Sequence, residues 1–302
     1  MLRRMYGGPQ WRKFLTLTGN DGSHCELIDS HHHMWDVGKF EYSWMPHGNG
    51  ILRRNYLPGD LEPNILDVGV GSTIVVQATH DILESQFLLH LASQTEWIAG
   101  VVAWVDLHSE DVEKVIEELM SLGPLVGIRH QVEDEPDDDW LVSELSIRGL
   151  TAVANRNLAY DVLVKPRHLK HIPVVADRVP DLRMVIDHIA KPFIGQAIIE
   201  PWATDMLDVA ESSGAFCKVS GMVTQANEGK WTAADFSPYV KCVREIYGVD
   251  RLMWGSDWPV CLLAADYSTV LDVALNAMGS MSDKERDRFL SGSASEFYRI
   301  SK

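Results

Sequence analysis

Asp29, His31 and His33 occupy alternate positions in Leu27-Ile28-Asp29-Ser30-His31-His32-His33-Met34-Trp35-Asp36. Residues two apart in a strand project to the same side. His31 and His33 should therefore share one side with Asp29 beneath them, while Ser30 and His32 point away. Imidazole is the commonest metal ligand and a ready proton carrier near neutral pH. Two of them at the polar end of an apolar run suit metal binding or acid–base chemistry. The plain alternative, three surface histidines on a loop, loses ground because other apolar runs end in polar residues too. Gln77 and Thr79 close one, Asp106 and His108 the next, and Arg129, His130 and Gln131 a third. Tyr160 with Asp161, Asp187 with His188, Lys218 with Ser220, and finally Asp257 follow in turn.

The elements that must position these groups are legible as an alternation. Apolar, β-branched runs over 25–31, 72–79, 98–107, 125–131, 157–164, 183–189, 215–221 and 251–257 read as strands. They are continuous rather than alternating, which implies a sheet covered on both faces. Helix-period segments lie between them. Residues 81–96 place Ile82, Phe87, Leu88 and Leu91 on one face, and 110–122 do the same with Val112, Val115, Ile116 and Leu119. Further helices are expected over 140–154, 167–178, 199–213, 235–247 and 267–279, with a last one near 283–298. Eight strands alternating with helices give an α/β fold, a single (β/α)8 TIM barrel with its site at the C-terminal ends of the strands. A doubly wound sheet would call for a glycine-rich phosphate loop, and neither GxGxxG nor GxxxxGK[ST] occurs. Residues 1–24 are expected to form a loosely ordered arm, because residues 1–23 carry Arg3, Arg4, Arg12 and Lys13 but no apolar signal core. The barrel then takes 25–302.

Composition narrows the partners. A chain of 302 residues, 46% hydrophobic and 23% charged, can bury a sizeable core. Its formal charge of -16 argues against nucleic acid and anionic membranes, both of which reward basic patches. No apolar run approaches the ~20 residues needed to cross a bilayer. Cys25, Cys217, Cys242 and Cys261 are widely spaced without a CxxC, which fits buried thiols in a reducing, cytoplasmic setting.

The motifs in combination resemble the amidohydrolase superfamily. Asp-x-His-x-His at strand one, His188 on strand six and Gly255-Ser256-Asp257-Trp258-Pro259 at strand eight carry the likeness. Together with Gly127-Ile128-Arg129-His130-Gln131 and Asp187-His188-Ile189-Ala190-Lys191-Pro192 they resemble its lactonase branch, over about residues 25–300. That branch contains L-fuconolactonase, L-rhamnonolactonase and 2-pyrone-4,6-dicarboxylate lactonase. Many metal-dependent members of the superfamily place a lysine at the end of strand four and a histidine on strand five. Here Arg129-His130-Gln131 and Tyr160-Asp161 stand there, so a binuclear centre is not expected. The resemblance leaves two options. One is a single divalent ion such as Zn2+ on His31, His33 and Asp257, with His188 nearby. The other, slightly favoured, is catalysis without an obligatory metal, the histidines polarising the carbonyl directly.

The implied activity is the hydrolysis of a lactone. Water loses a proton as it attacks the acyl carbon, the carbonyl oxygen gains charge, and the departing alkoxide takes a proton. Asp257 is expected to move those protons, with His31, His33 and His188 polarising the carbonyl and Arg129 in support. No Gly-x-Ser-x-Gly elbow is present. Substrate contacts are expected from Arg129, Trp35, Tyr160, Lys218 and Trp258. With aromatic residues near strands one and eight and only Arg129 as a guanidinium at a strand end, a neutral sugar lactone fits better than a dicarboxylate. A metal-dependent decarboxylase on the same barrel and a non-catalytic sugar-binding barrel are the competing readings.

Overall fold

A computed structural model describes residues 26–300 apart from His47, Asn49 and Glu228. The arm assigned to 1–24, and Cys25, lie outside the described residues. Eight strands run parallel and pair in the order of the chain. They are β1 (Leu27–His32), β2 (Val70–Val76), β3 (Ile98–Ala103), β4 (Leu125–Gln131), β5 (Ala159–Leu163), β6 (Arg183–Ile186), β7 (Phe216–Val219) and β8 (Leu252–Trp254). The last contact closes the barrel. Beyond the short β8, the chain passes Gly255 and locks onto β1 through His33 N–H to Trp258 O at 2.6 Å and Asp257 N–H to His31 O at 2.8 Å. A side chain on Gly255 would begin 2.7 Å from His31 Cβ, so this close approach needs glycine. The seam that shuts the barrel thus sets Asp257 beside His31 and His33.

Several expected strands run too far at their C-terminal ends. The run over 98–107 stops at Ala103, and that over 251–257 stops at Trp254. The polar residues there have left the ladder and form the mouth of the barrel.

The helices are α1 (Pro58–Val68), α2 (Ile82–Gln94), α3 (Val112–Met120), α4 (Glu144–Asn155), α5 (Ile172–Arg178), α6 (Trp202–Ser213), α7 (Ala233–Tyr247), α8 (Tyr267–Met278), α9 (Asp283–Asp287) and α10 (Ser293–Tyr298). Helix α1 has no counterpart in the sequence reading, and it contains Pro58, Gly59 and Pro63, residue types unfavourable in a helix interior. Pro58 sits in the first turn, where its missing N–H costs nothing, and Asp60 accepts the Leu57 N–H at 3.0 Å. The segment 167–178 is a 3-10 turn (Pro166–His171) before a short α5, and the final helix is divided by a π-type turn, Arg288–Gly292. Helix α2 buries Ser85, Leu88, Leu89 and Ala92, while Ile82, Phe87 and Leu91 are only partly covered, so its inner face is rotated from the expected one.

Two apolar layers result. Strands and helices share the larger core. Inside the barrel, Ile28, Ile74, Val76, Val102, Ala159, Val185 and Met253 pack against Ala294, Phe297 and Tyr298 of α10. The C-terminal helix therefore plugs the lower end, leaving only the mouth above for a site.

Candidate active site

Four side chains converge at the mouth. Asp257 Oδ1 lies 3.4 Å from His33 Nε2, 3.8 Å from His188 Nε2 and 3.9 Å from His31 Nε2. His31 Nε2 and His33 Nε2 are 3.2 Å apart. The expected convergence of β1, β6 and β8 at one end of the barrel is what the structure places there.

The far nitrogen of each imidazole is engaged. His33 Nδ1 lies 2.8 Å from Val76 O, which can only accept, so the proton is on Nδ1 and Nε2 is bare. His31 has a donor at each nitrogen, Arg129 Nη1 at 3.3 Å from Nε2 and Lys218 Nζ at 3.1 Å from Nδ1, with Asp187 Oδ1 also 3.3 Å from Nδ1, so its partners do not fix its tautomer. Lys218 Nζ, with three N–H groups, stands among that Nδ1, Asp161 Oδ2 and Asp187 Oδ1. His188 differs. Its Nδ1 meets Ser220 Oγ at 2.9 Å, and a hydroxyl donates or accepts, so His188 can carry its proton on either nitrogen.

Electrostatics follow burial. Desolvation lowers His31 well below the ordinary imidazole value, lowers His33, and brings His188 down to about 4, so all three are neutral near pH 7. Burial alone would raise Asp257, but His188, His33 and Lys191 together hold it below the usual carboxylate value. His31 Nε2 and the bare His33 Nε2 stand 3.2 Å apart beside an ionised carboxylate.

Local backbone serves this geometry at a cost. His188, Ile189, Ala190 and Lys191 are all left-handed, with φ of 54°, 47°, 57° and 51°, and Asp257 has φ 56°. For side-chain-bearing residues this costs about 1–2 kcal/mol each, and such outliers gather at functional sites. The turn is pinned by Lys191 N–H to His188 O at 2.8 Å, Trp202 Nε1–H to Ile189 O at 2.8 Å and Lys191 Nζ to Glu133 Oε1 at 2.6 Å.

Beneath the imidazoles lies a buried charged layer. Arg129 Nη1 donates to Asp187 Oδ2 at 3.0 Å and Nη2 to Gln77 O. Lys218 Nζ lies 2.5 Å from Asp161 Oδ2 and 2.9 Å from Asp187 Oδ1, and Tyr298 OH donates to Asp161 Oδ2 at 2.7 Å. This layer corrects several sequence assignments. Lys218 is fully buried, with Asp161, Asp187 and His31 Nδ1 around its ammonium, so it does not reach a substrate. Tyr160 packs among the helices with Ile128 and Val162, because Asp161 takes the inward position of β5. Trp35 is buried against Tyr42, Trp44 and Tyr56, and Trp258 against Tyr56, so neither offers a ring to the mouth. Arg129 reaches the centre, but Asp187 occupies it. Asp29 is not beneath the histidines. The β1–β2 register shifts between Asp29 and His32, and Asp29 instead accepts from Ser256 N at 2.9 Å and Tyr267 OH at 2.8 Å, tying β1 to β8 and α8.

In the sequence Asp187, Asp161 and Ser220 stand only as polar strand ends with no role of their own, although Asp187 directly precedes His188. Gly221 carries no such signal. A Cβ there would meet His188 Nδ1 at 2.5 Å, and its φ is +61°.

Among the described residues, His31, His188 and Asp257 offer ligand atoms within 4.8 Å of one another. His80, His130 and Glu135 also cluster, but His130 Nδ1 accepts from Trp104 Nε1 at 3.2 Å while Nε2 faces Glu135 Oε1 at 2.7 Å. With Nδ1 accepting, Nε2 must carry the proton, so it has no lone pair for an ion.

A family model described as amidohydrolase matches residues 28–300. An L-fucono-1,5-lactonase from Burkholderia ambifaria is 37% identical over 277 residues, covering 90% of this chain and 95% of that protein. An L-fucono-1,5-lactonase from Burkholderia multivorans is 34% identical over 284 residues, covering 90% and 96%. The crystal structure of an amidohydrolase from Burkholderia multivorans with bound zinc superposes with a TM-score of 0.85 at 33% identity, covering 91% of this chain and 100% of that one.

Proposed function

The chain belongs to the amidohydrolase family, and from that premise we propose that it is a lactone hydrolase that opens a sugar lactone to the aldonic acid. The observation that carries the chemistry is Asp257 Oδ1 facing three imidazole Nε2 atoms at 3.4–3.9 Å. The two L-fucono-1,5-lactonase relatives supply the substrate class.

Ionised Asp257 takes the proton of the attacking water and returns it to the ring oxygen as the C–O bond breaks. His188, with Ser220 donating to Nδ1, presents Nε2–H to the carbonyl oxygen as it gains charge. His33 cannot donate from its bare Nε2, and His31 stands beside it. Their donor set, two neutral imidazoles and a carboxylate, fits one divalent cation such as Zn2+ on His31, His33 and Asp257. When bound, such an ion supplies positive charge to the developing oxyanion. Nδ1 partners of this kind, Val76 O and Asp187, orient ligating imidazoles. Catalysis without an obligatory metal is the second reading. It is favoured by Arg129 Nη1, which already offers a positive donor to His31 Nε2 at 3.3 Å.

A neutral substrate suits the charges around the centre. Arg129 is paired with Asp187, Lys218 with Asp161 and Asp187, and Lys191 with Glu133. A carboxylate-bearing pyrone or an acidic decarboxylase substrate would have to break one of these pairs. The buried free thiols of Cys217 and Cys261 suit a reducing compartment, and we place the enzyme in the cytoplasm. No helix among the described residues is long and apolar enough to cross a membrane.

The test is a pH-indicator hydrolysis screen over aldonolactones, run with and without a chelator. Turnover of L-fucono-1,5-lactone or a related neutral lactone, without CO2 release, is expected. Loss of rate with chelator and recovery with Zn2+ would support the cation, and an unchanged rate would support the second reading. Ligand binding without turnover would instead favour the non-catalytic barrel.

A further inference from the structure

The His80 cluster, which carries no metal, remains to be accounted for. His80 follows β2 at the mouth and is exposed. Its ring stacks on Trp104 at 5.5 Å and 13° and on His130 at 4.2 Å and 29°. Trp104 Nε1 and His130 Nδ1 are hydrogen-bonded at 3.2 Å, so those two rings lie side by side under one face of His80. Trp140 supports the layer from below, stacked on His130 at 4.0 Å and 12°. A second bond locks the imidazole in plane: His80 Nε2 accepts the N–H of Gln131, the last residue of β4, at 3.1 Å.

That bond also fixes the tautomer. An Nε2 that accepts leaves the proton on Nδ1. Desolvation of the face packed on Trp104 and His130, with His130 itself, pushes His80 down to about 4, so the ring is neutral at working pH although its other face is open, and Arg129 adds to the shift. His80 is therefore a rigid, uncharged donor with an exposed ring, held between the ends of β2 and β4. Nothing in the water-attack chemistry uses it. A side chain stacked on two rings and pinned by a backbone amide has already lost the rotamer freedom that binding would otherwise cost.

We infer that His80 is a specificity-determining residue, whose Nδ1–H and exposed ring face receive the hydroxyl-bearing edge of the sugar lactone at the rim between β2 and β4. This rests on the lactonase reading. It names the chemistry recognised, a neutral hydroxyl oxygen with an adjacent C–H face, and places that recognition opposite the β8 side that supplies Asp257. An imidazole N–H donor serves a hydroxyl oxygen, and the ring face suits C–H groups of a sugar ring.

The experiment compares wild type, His80→Phe and His80→Ala on a neutral aldonolactone and on δ-valerolactone, which has the ring ester but no hydroxyls. Phenylalanine keeps a ring over Trp104 and His130 but has no Nδ1–H. Its KM for the aldonolactone should rise about five- to tenfold, with a smaller change in kcat. On δ-valerolactone, kcat/KM should stay within about twofold of wild type. His80→Ala should lose more on the aldonolactone because the ring face goes too. A melting temperature near wild type for His80→Phe checks that the fold is intact. Equal losses on both lactones would assign His80 a structural role and overturn the inference, as would no loss on either. Wild-type protein that hydrolyses no lactone at all would bring down the lactonase reading and this inference with it. Wild-type turnover with unaffected variants removes the inference alone.

Discussion

Asp187 joins the two layers of the site: its Oδ1 lies 3.3 Å from His31 Nδ1, and its Oδ2 takes Arg129 Nη1 at 3.0 Å. It also stands 2.9 Å from Lys218 Nζ. Burial would raise this carboxyl, but Lys218, His31 and Arg129 overcome that and hold it well below the carboxylate range. One side chain therefore orients an imidazole and neutralises buried cations at once.

Replacing Asp187 should damage stability as well as turnover. Asp187→Asn leaves Lys218 and Arg129 short of a counter-charge, and breaking a buried pair costs about 3–5 kcal/mol. Removing the excess cation too should recover part of that loss. Thermal unfolding of Asp187→Asn, Lys218→Met and the double variant is the check. The double variant should lose less than the sum of the singles, and strict additivity would show that Asp187 and Lys218 do not act as a unit.

Gly221→Ala tests how tightly His188 is held. The added methyl would sit 2.5 Å from His188 Nδ1, where Ser220 Oγ now bonds, and φ of +61° strains any side-chain-bearing residue. The variant should fold, lose about 1–2 kcal/mol of stability, and show kcat reduced on the order of tenfold or more. Wild-type kcat would mean that His188 can move without consequence.

Strand order and the four side chains that converge at the mouth were legible because each leaves a local trace. Eight apolar runs give the barrel, and His31, His33, His188 and Asp257 each sit at a polar strand end. What stayed hidden depends on contacts distant in sequence. Lys218 looked like a rim residue because period-two alternation says inward but not how deep, and its depth is set by Asp161 and by Tyr298 rising from the C-terminal plug. Trp35 and Trp258 looked like sugar platforms because a tryptophan near a strand end reads alike whether it faces a ligand or Tyr56. Asp29 was misplaced by a register shift that no spacing rule reveals. Helix α1 was missed because Pro58 breaks a helix interior but suits a first turn.

Glu84 should impose a pH dependence on stability away from the centre. Burial pushes its carboxyl up to about 8 from an ordinary 4.5, against the pull of the Ala78 and Thr79 N–H groups at 3.1 and 3.4 Å. With the folded value raised, its contribution to stability is complete below about pH 4.5 and is lost as pH rises through about 8. Glu84→Gln does not titrate, and its amide can still accept from Ala78. The stability of the variant relative to wild type should therefore grow between about pH 5 and about pH 9, by at least about 1 kcal/mol. Denaturant melts at both ends of that range decide it, and a constant difference would mean Glu84 titrates normally.

Asp257→Asn is the sharpest test of the chemistry. Asparagine preserves shape and still presents an oxygen towards His33 and His188, now 3.4 and 3.8 Å from the carboxylate. It cannot take a proton from water or hand one to the ring oxygen. General acid–base groups contribute about 10²–10⁴-fold, so kcat should fall by that order while binding of the aldonic acid product stays close to wild type. Zinc content measured on the same preparations separates two kinds of failure. A neutral oxygen is a weaker ligand than a carboxylate, but His31 and His33 remain, so a variant that keeps stoichiometric metal and has lost turnover has lost the proton carrier. If the metal is lost too, adding excess Zn2+ should restore occupancy without restoring the rate. Recovery of near-normal turnover under those conditions would confine Asp257 to ligation, and the proton would then have to move through His188, whose tautomer its partner, Ser220, leaves free to change.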